Sequence, residues 1–212
     1  MKCLFVAALA SILLAGQASA TVVKIEDTGI NDGVHIEQGT PGFGSSGPVT
    51  LDWGDPLGVD ASSLRSYPLS GFSGRPGAWC GEASSATCVL DITVDSGFSV
   101  TLTSFFLGVF GADMEVDYSV VDLFDNSLII SIANAIVTDA NGKVVDVNAS
   151  STVGFRIIFG NDWNVGINDI TYDFASISSV PLPAALPLLG AGLAGLVLLG
   201  RRNKRKAPAI AA

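Results

Sequence analysis

The chain has few of the residues that carry out chemistry at neutral pH. It contains one histidine, His35, and three cysteines. A nucleophilic hydrolase needs a base beside its nucleophile, and no Gly-x-Ser-x-Gly segment accompanies the single histidine. A glycine-rich phosphate loop followed by Lys and Ser or Thr is also absent. These absences disfavour triad hydrolases and P-loop nucleotide-binding proteins, and the sequence predicts a protein that is not an enzyme.

Basic residues are scarce between residues 21 and 179. This segment of 159 residues holds all 20 acidic residues and five basic ones, so its formal net charge is −15 (5 − 20). The five basic residues are Lys24, Arg65, Arg75, Lys143 and Arg156. Such an acidic surface is repelled by nucleic acids and by anionic membrane surfaces. We therefore expect no nucleic-acid partner.

Helical periodicity is missing from the same segment. Apolar and polar side chains alternate instead at residues 90–94, 114–120 and 170–174, which is typical of half-buried antiparallel strands. Further predicted strands span residues 22–26, 49–53, 98–110, 128–132, 135–139, 143–148 and 152–159. About ten short strands separated by turns predict an all-β fold for residues 21–176, an antiparallel two-sheet sandwich.

Two connecting segments stand out within this body. Asp139-Ala140-Asn141-Gly142 lies between two predicted strands and indicates a hairpin turn in which glycine supplies the positive φ. It also resembles the start of a calcium loop, but the later Gly and Glu positions of such a loop are absent. Residues 57–81, rich in Pro, Ser and Gly, predict a long irregular loop, and long loops are often binding elements.

Both ends of the chain differ from the body. Residues 1–20 carry a lysine at position 2, continue with an apolar run and end in Ala-Ser-Ala, which predicts a secretory signal peptide cleaved before Thr21. Residues 182–200 hold no charged side chain, and at about 1.5 Å per residue they span ~28 Å, close to the ~30 Å bilayer core. The cations that follow are Arg201, Arg202, Lys204, Arg205 and Lys206. This basic stop predicts one C-terminal transmembrane helix whose C-terminus is cytoplasmic.

A short proline motif, Val180-Pro181-Leu182-Pro183-Ala184, stands at the start of that span. The order of signal peptide, VPLPA motif, span and basic stop resembles the PEP-CTERM class of bacterial sorting signals, and more closely its VPLPA variant. The resemblance implies recognition by an exosortase-like membrane enzyme that cuts near the motif. It also implies export through the inner membrane, transient single-pass anchoring, and then a place at the cell surface or outside it, associated with extracellular polysaccharide.

The resulting organisation has five parts. Residues 1–20 are the signal peptide, 21–176 the sandwich, 177–179 a linker, 180–206 the sorting signal and 207–212 a tail. Residues 165–170, Val-Gly-Ile-Asn-Asp-Ile, are similar to the closing strand of jelly-roll domains in PEP-CTERM-type proteins and carbohydrate-binding modules, where VGIDNI is common. This resemblance implies a jelly-roll-like sandwich, although Asn168-Asp169 reverses the usual order.

Cys80 and Cys88 are the two cysteines that remain once the signal peptide is removed. In an exported protein, such a pair with seven residues between its members predicts a disulfide. One cysteine pair and one histidine offer few soft ligands for a metal, and the spacing is not the C-x-x-C of redox-active pairs.

Two features are candidates for binding. Asp113, Glu115 and Asp117 alternate along one predicted strand, so they share a face and repel one another; Ca²⁺ would relieve that repulsion. The alternative is a solvated face that prevents association between sheets. Trp163, flanked by Asn and Asp, suits stacking against a sugar, with burial in the core as the alternative.

Three function hypotheses follow. The first is a non-enzymatic exported sandwich carrying an exosortase-type sorting signal. The second is a calcium-supported carbohydrate-binding module that uses Trp163 or the segment 57–81. The third is a small glycan hydrolase, because an acidic body contains many carboxylate pairs.

Overall fold

The computed structural model describes residues 20–25, 31–36, 46–54, 64–80, 87–160 and 164–177. The chain divides into two compact units, Met1–Ser176 and Ile177–Ala212, and every described residue except Ile177 belongs to the first. Residues 1–19, Trp163, the sorting motif, the predicted span and the basic stop lie outside the described residues. Within those described ranges, no helix is long and apolar enough to cross a membrane.

Eleven strands make up the described part of the chain, and every pairing between them is antiparallel. Their bounds are β1 Thr21–Val23, β2 Val49–Asp52, β3 Arg65–Phe72, β4 Arg75–Trp79, β5 Cys88–Val94, β6 Phe98–Val109, β7 Met114–Asp122, β8 Leu128–Val137, β9 Lys143–Ser151, β10 Gly154–Phe159 and β11 Val165–Ser176.

These strands form two sheets. The six-stranded sheet has the order β3-β4-β11-β6-β9, with β1 also paired to β11; the five-stranded sheet has the order β2-β5-β10-β7-β8. Because β6 follows one edge of β11, both β4 and β1 pair along its other edge, β4 at Ile167 and β1 at Ile170. The predicted all-β architecture of two antiparallel sheets is confirmed.

The alternating residues fill the core between the sheets, as predicted. Ile92 of β5, Val120 of β7 and Tyr172 of β11 are each fully buried, and they belong to one apolar cluster drawn from both sheets. Phe105 of the six-stranded sheet meets Tyr118 of the five-stranded sheet edge to face, with ring centroids 6.4 Å apart. Period-two patterning therefore identified the inner faces correctly.

The prediction of an irregular loop is wrong where the structure describes residues 64–80. This segment forms β3 and β4, which pair at Tyr67 opposite Gly77 and at Phe72 opposite Arg75. Residues 68–71 therefore oppose Pro76 alone, so β3 contains an irregular bulge of several residues. The Pro, Ser and Gly residues that suggest a loop in the sequence instead form this bulge and its close backbone contacts.

Strand β8 is also longer than predicted, because two segments forecast as separate strands are continuous. Val116 of β7 opposes Ala135, while Tyr118 opposes Ile132, so two β8 residues face Asp117. Asn134 lies in this bulge at a φ of 56°. Ala133 and Asn134, between two apolar runs, suggest a break in the sequence, but they form a bulge within one strand.

The turn at residues 139–142 is confirmed. The Gly142 N–H donates to the Thr138 carbonyl at 2.8 Å, and Gly142 has a φ of 63°. Its flanking strands do not form a hairpin, however, because β8 ends in the five-stranded sheet and β9 begins in the six-stranded one. The turn therefore carries the chain from one sheet to the other.

The predicted disulfide between Cys80 and Cys88 is confirmed, and both residues are buried. Cys80 follows β4 of the six-stranded sheet, and Cys88 opens β5 of the five-stranded sheet. The bond therefore joins the two sheets directly. Closing a loop of this size contributes about 2–3 kcal/mol in the chain-entropy view.

Candidate functional site

The outward face of the five-stranded sheet carries a row of side chains aligned by the strand register. Ile158 of β10 lies opposite both Val89 of β5 and Ser119 of β7, and Ser119 in turn lies opposite Ser131 of β8. Because neighbouring strands are about 4.8 Å apart, the Ser119 and Ser131 side chains stand next to each other on one surface.

An open depression of about 280 Å³ lies at this row. Its lining combines four hydroxyls, three from Ser and Thr and one from Tyr, with one carboxylate and apolar surface from strands β7, β8 and β10. The lining residues are Thr87, Asp117, Tyr118, Ser119, Ser131, Ile132, Ala133, Ile158 and Gly160. Most of them are exposed or half-buried, so the depression is shallow and accessible.

The bulge in β8 positions the carboxylate of the depression. The Asn134 N–H donates to Oδ1 of Asp117 at 2.7 Å, and the Gly160 N–H donates to the Asp117 carbonyl oxygen at 3.0 Å. The first bond is charge-assisted, and such bonds are shorter and stronger than neutral ones. Asp117 is thus held from both neighbouring strands while its side chain remains exposed.

A cation next to this surface is already engaged. Arg156 of β10 donates from Nε and Nη2 to the two carboxylate oxygens of Asp91 at 2.8 and 2.7 Å. These hydrogen bonds raise the pKa of Arg156, and the charge of Asp52 acts in the same direction. A bidentate pair holds a guanidinium in place, so Arg156 offers little attraction to an anionic ligand.

The described part of the depression differs from the active site of a glycoside hydrolase in its acidic groups. Such enzymes place two carboxyl groups about 5–9.5 Å apart across the scissile bond. Among the described residues that line the depression, Asp117 is the one acidic side chain. Burial raises the pKa of the neighbouring Tyr118, which keeps its phenol protonated. The described lining residues thus supply hydrogen-bond donors and acceptors, with one carboxylate among them.

The predicted acidic trio is distributed along the outer side of β7. Asp113 accepts the Asp139 N–H at 2.8 Å and ties β7 to the inter-sheet turn, whereas Asp117 holds the β8 bulge. Glu115, between them, is exposed. The described ranges contain no group of three His, Cys, Asp or Glu side chains that could hold a metal ion. Calcium binding therefore stays a prediction without a geometric site there.

Trp79, in the segment 57–81, and Asn168, in the segment 165–170, both make contacts within the body. Trp79 lies on the six-stranded sheet, with the Arg65 guanidinium carbon 5.9 Å from its ring centroid. Asn168 is buried; its Oδ1 accepts the Ile25 N–H at 2.9 Å and its Nδ2 donates to the Pro76 carbonyl at 3.0 Å. Asn168 thus lies on β11 between the residue that pairs with β4 and the residues that pair with β1.

Sequence reasoning identified Asp117 but missed the partners that surround it. Ser119 follows Asp117 at the next outward position of β7, so the alternation contained part of the signal. Ser131 and Ile158 join them through strand order and register, which a single sequence does not reveal. Comparison with known proteins adds no further candidate: no family model matches the chain, and no curated protein matches it significantly.

Proposed function

We propose that this chain is an exported, non-enzymatic surface protein whose β-sandwich body is delivered by a C-terminal sorting signal of the VPLPA type. The observation that carries the proposal is the order of elements in residues 180–206: proline motif, apolar span and basic stop. An exosortase-like enzyme cuts near the motif, so the span is a temporary membrane anchor. The body then resides at the cell surface or in the extracellular polysaccharide matrix.

The disulfide supports export. Disulfides form and persist in oxidising compartments and are rare in the cytosol. Cys80 and Cys88 are bonded and buried between the sheets, so the bond is part of the folded body rather than a reactive surface group. A jelly-roll-like strand connection, suggested by the segment Val165–Ile170, completes the proposal for the body.

Intact-mass measurement of the exported protein tests this function. The expected mature form begins at Thr21 and ends before Leu188. Replacing both Pro181 and Pro183 by Ala should leave the uncut chain in the membrane. The matched control is Pro187→Ala, which changes a proline inside the span and should leave processing intact. An exported protein whose mass retains Arg201 to Lys206 would reduce the tail to a permanent anchor.

A further inference from the structure

We infer that the depression on the five-stranded sheet, between β7, β8 and β10, binds a short stretch of a neutral polysaccharide. The inference deepens the proposed function, on which it rests, because it gives the surface protein a way to hold on to the surrounding matrix. It uses Thr87, Asp117, Ser119, Ser131 and Ile158, all of which lie outside the proposed sorting signal, residues 180–206.

The lining has the chemistry that a sugar polymer requires. Sugars present hydroxyls that both donate and accept hydrogen bonds, together with apolar C–H faces. Serine and threonine hydroxyls likewise donate and accept, whereas the Asp117 carboxylate accepts. Half-buried Ile158 supplies apolar surface between them. Ser119 and Ser131 face outward on adjacent strands, so they can bind neighbouring hydroxyls of one ligand.

The charge of the body selects a neutral ligand. Residues 21–179 carry a formal net charge of −15, and one of the contributing carboxylates, that of Asp117, lies inside the depression itself. Arg156, the basic residue on the strands of the five-stranded sheet, is held in a bidentate pair with Asp91. A polyuronate or sulfated glycan would therefore meet repulsion without a compensating positive charge.

The shape of the depression favours a polymer over an isolated small molecule. Its volume, about 280 Å³, is at the lower limit of the roughly 300–1,000 Å³ typical of small-molecule pockets. Because the depression is open, a chain can pass across it and continue over the surface. The strand backbone and the Asn134–Asp117 hydrogen bond hold the polar groups in place before binding, which reduces the entropic cost.

Affinity electrophoresis of the purified full-length chain in mild detergent tests the inference. Each gel contains one polymer. The neutral polymers are soluble β-glucan, galactomannan and xylan, and the anionic polymer is alginate. We expect retardation by at least one neutral polymer and none by alginate. The double variant Ser119→Val, Ser131→Val should lower the affinity for the polymer, calculated from the retardation, at least tenfold. Asp117→Asn should lower it several-fold. Chelation of divalent ions should leave it unchanged.

The matched control is Ser150→Val, which makes the same change at an exposed strand serine of the six-stranded sheet. It should bind like the unchanged chain, and circular dichroism should show that all variants are folded. Absence of retardation by every neutral polymer, equal binding by the double variant, preference for alginate or loss on chelation would each overturn the inference. None of these outcomes alters the intact mass of the exported protein, so the sorting proposal fails or stands separately.

Discussion

The outward faces of the two sheets differ in what covers them. On the six-stranded sheet, Phe72 of β3 lies over glycines of β4, β6 and β11, and its ring meets Tyr67 and Phe110 edge to face at 5.6 and 6.1 Å. The outward face of the five-stranded sheet instead carries the Asp91–Arg156 pair and the open depression. A second small apolar cluster thus covers part of one outer face, whereas the other outer face carries a depression open to solvent.

Glycine makes the covered face possible. A Cβ placed on Gly166 would lie 2.7 Å from a ring carbon of Phe72, and one on Gly108 would lie 2.6 Å from the Phe72 carbonyl oxygen. Both distances are far below van der Waals contact, so these positions admit no side chain without movement of β3. Glycines on an outward row of a strand can thus indicate a face covered by other side chains, while hydroxyls in such a row can indicate a face exposed to solvent.

The largest expected effect comes from removing the cover. Phe72→Ala deletes a buried ring and should lower the free energy of unfolding by about 3–5 kcal/mol. The matched change on the open face, Ile158→Ala, removes a half-buried side chain and should cost less than about 1.5 kcal/mol. Urea denaturation, monitored by tryptophan fluorescence, measures the loss of stability in both variants. Equal losses would mean that the two faces are packed alike.

The second prediction concerns Tyr172, a buried residue in the core between the two sheets. Burial raises the pKa of Tyr172 to about 12, above its ordinary value of 10.0, so folding favours the neutral phenol. This contribution is fully present below pH 10 and is lost as the pH rises from 10 to 12. Within that window the folding equilibrium constant should fall by up to about tenfold per pH unit.

Tyr172→Phe should remove most of this alkaline loss, because phenylalanine cannot ionise. The measurement is the urea midpoint at several pH values between 9 and 12, compared between the two proteins. An unchanged pH dependence in the variant would show that other groups dominate alkaline unfolding.

A smaller effect tests the glycine explanation. Gly166→Ala forces a methyl group against the Phe72 ring and should cost about 1–3 kcal/mol. In a Phe72→Ala background the same change should cost much less, because the ring that it meets is gone. Thermal denaturation of the two single variants and the double variant gives the coupling. Additive losses would rule out the ring as the source of the strain.

The smallest effect compares one ion pair from each face. The bidentate Asp91–Arg156 pair, whose side chains are 18% and 34% exposed, should couple by about 1 kcal/mol in a double-mutant cycle with Asn and Gln replacements. The Arg75–Asp169 pair on the covered sheet is more exposed, at 47% and 24%, and should couple by less than about 0.5 kcal/mol. A stronger Arg75–Asp169 coupling would reverse this order.

Much of the inner architecture was predictable from the sequence, because burial on one face imposes an apolar residue at every second position. Ile92, Val120 and Tyr172 occupy apolar positions of that alternation and lie in the core. The pairing of β3 with β4 was not predictable, since Gly71 and Gly77 indicate loops unless the aromatic rings above them are known. Long-range packing, which one sequence does not display, explains that difference.

The candidate site shows the same division. Asp117 was identified from its alternation with apolar residues, but its neighbours come from strands distant in the chain. Ile158 lies beside Ser119 because β10 pairs with β7, and Ser131 joins them through β8. Thr87 directly precedes β5 and Gly160 directly follows β10, and no spacing rule connects either residue with Asp117. The site is thus a product of topology more than of local sequence.

The pairing of β1 with β11 also governs when the body can fold. Thr21 lies opposite Tyr172, so the first strand of the body finds its partner in the last. Neither sheet is built from consecutive strands alone, and such non-local pairing slows folding to milliseconds or seconds. A chain that emerges from a ribosome or a translocation channel with its N-terminus first cannot complete the six-stranded sheet until β11 has followed. Until then the backbone groups of β1 lack their β11 partner, and an unpaired strand of this kind is prone to aggregation.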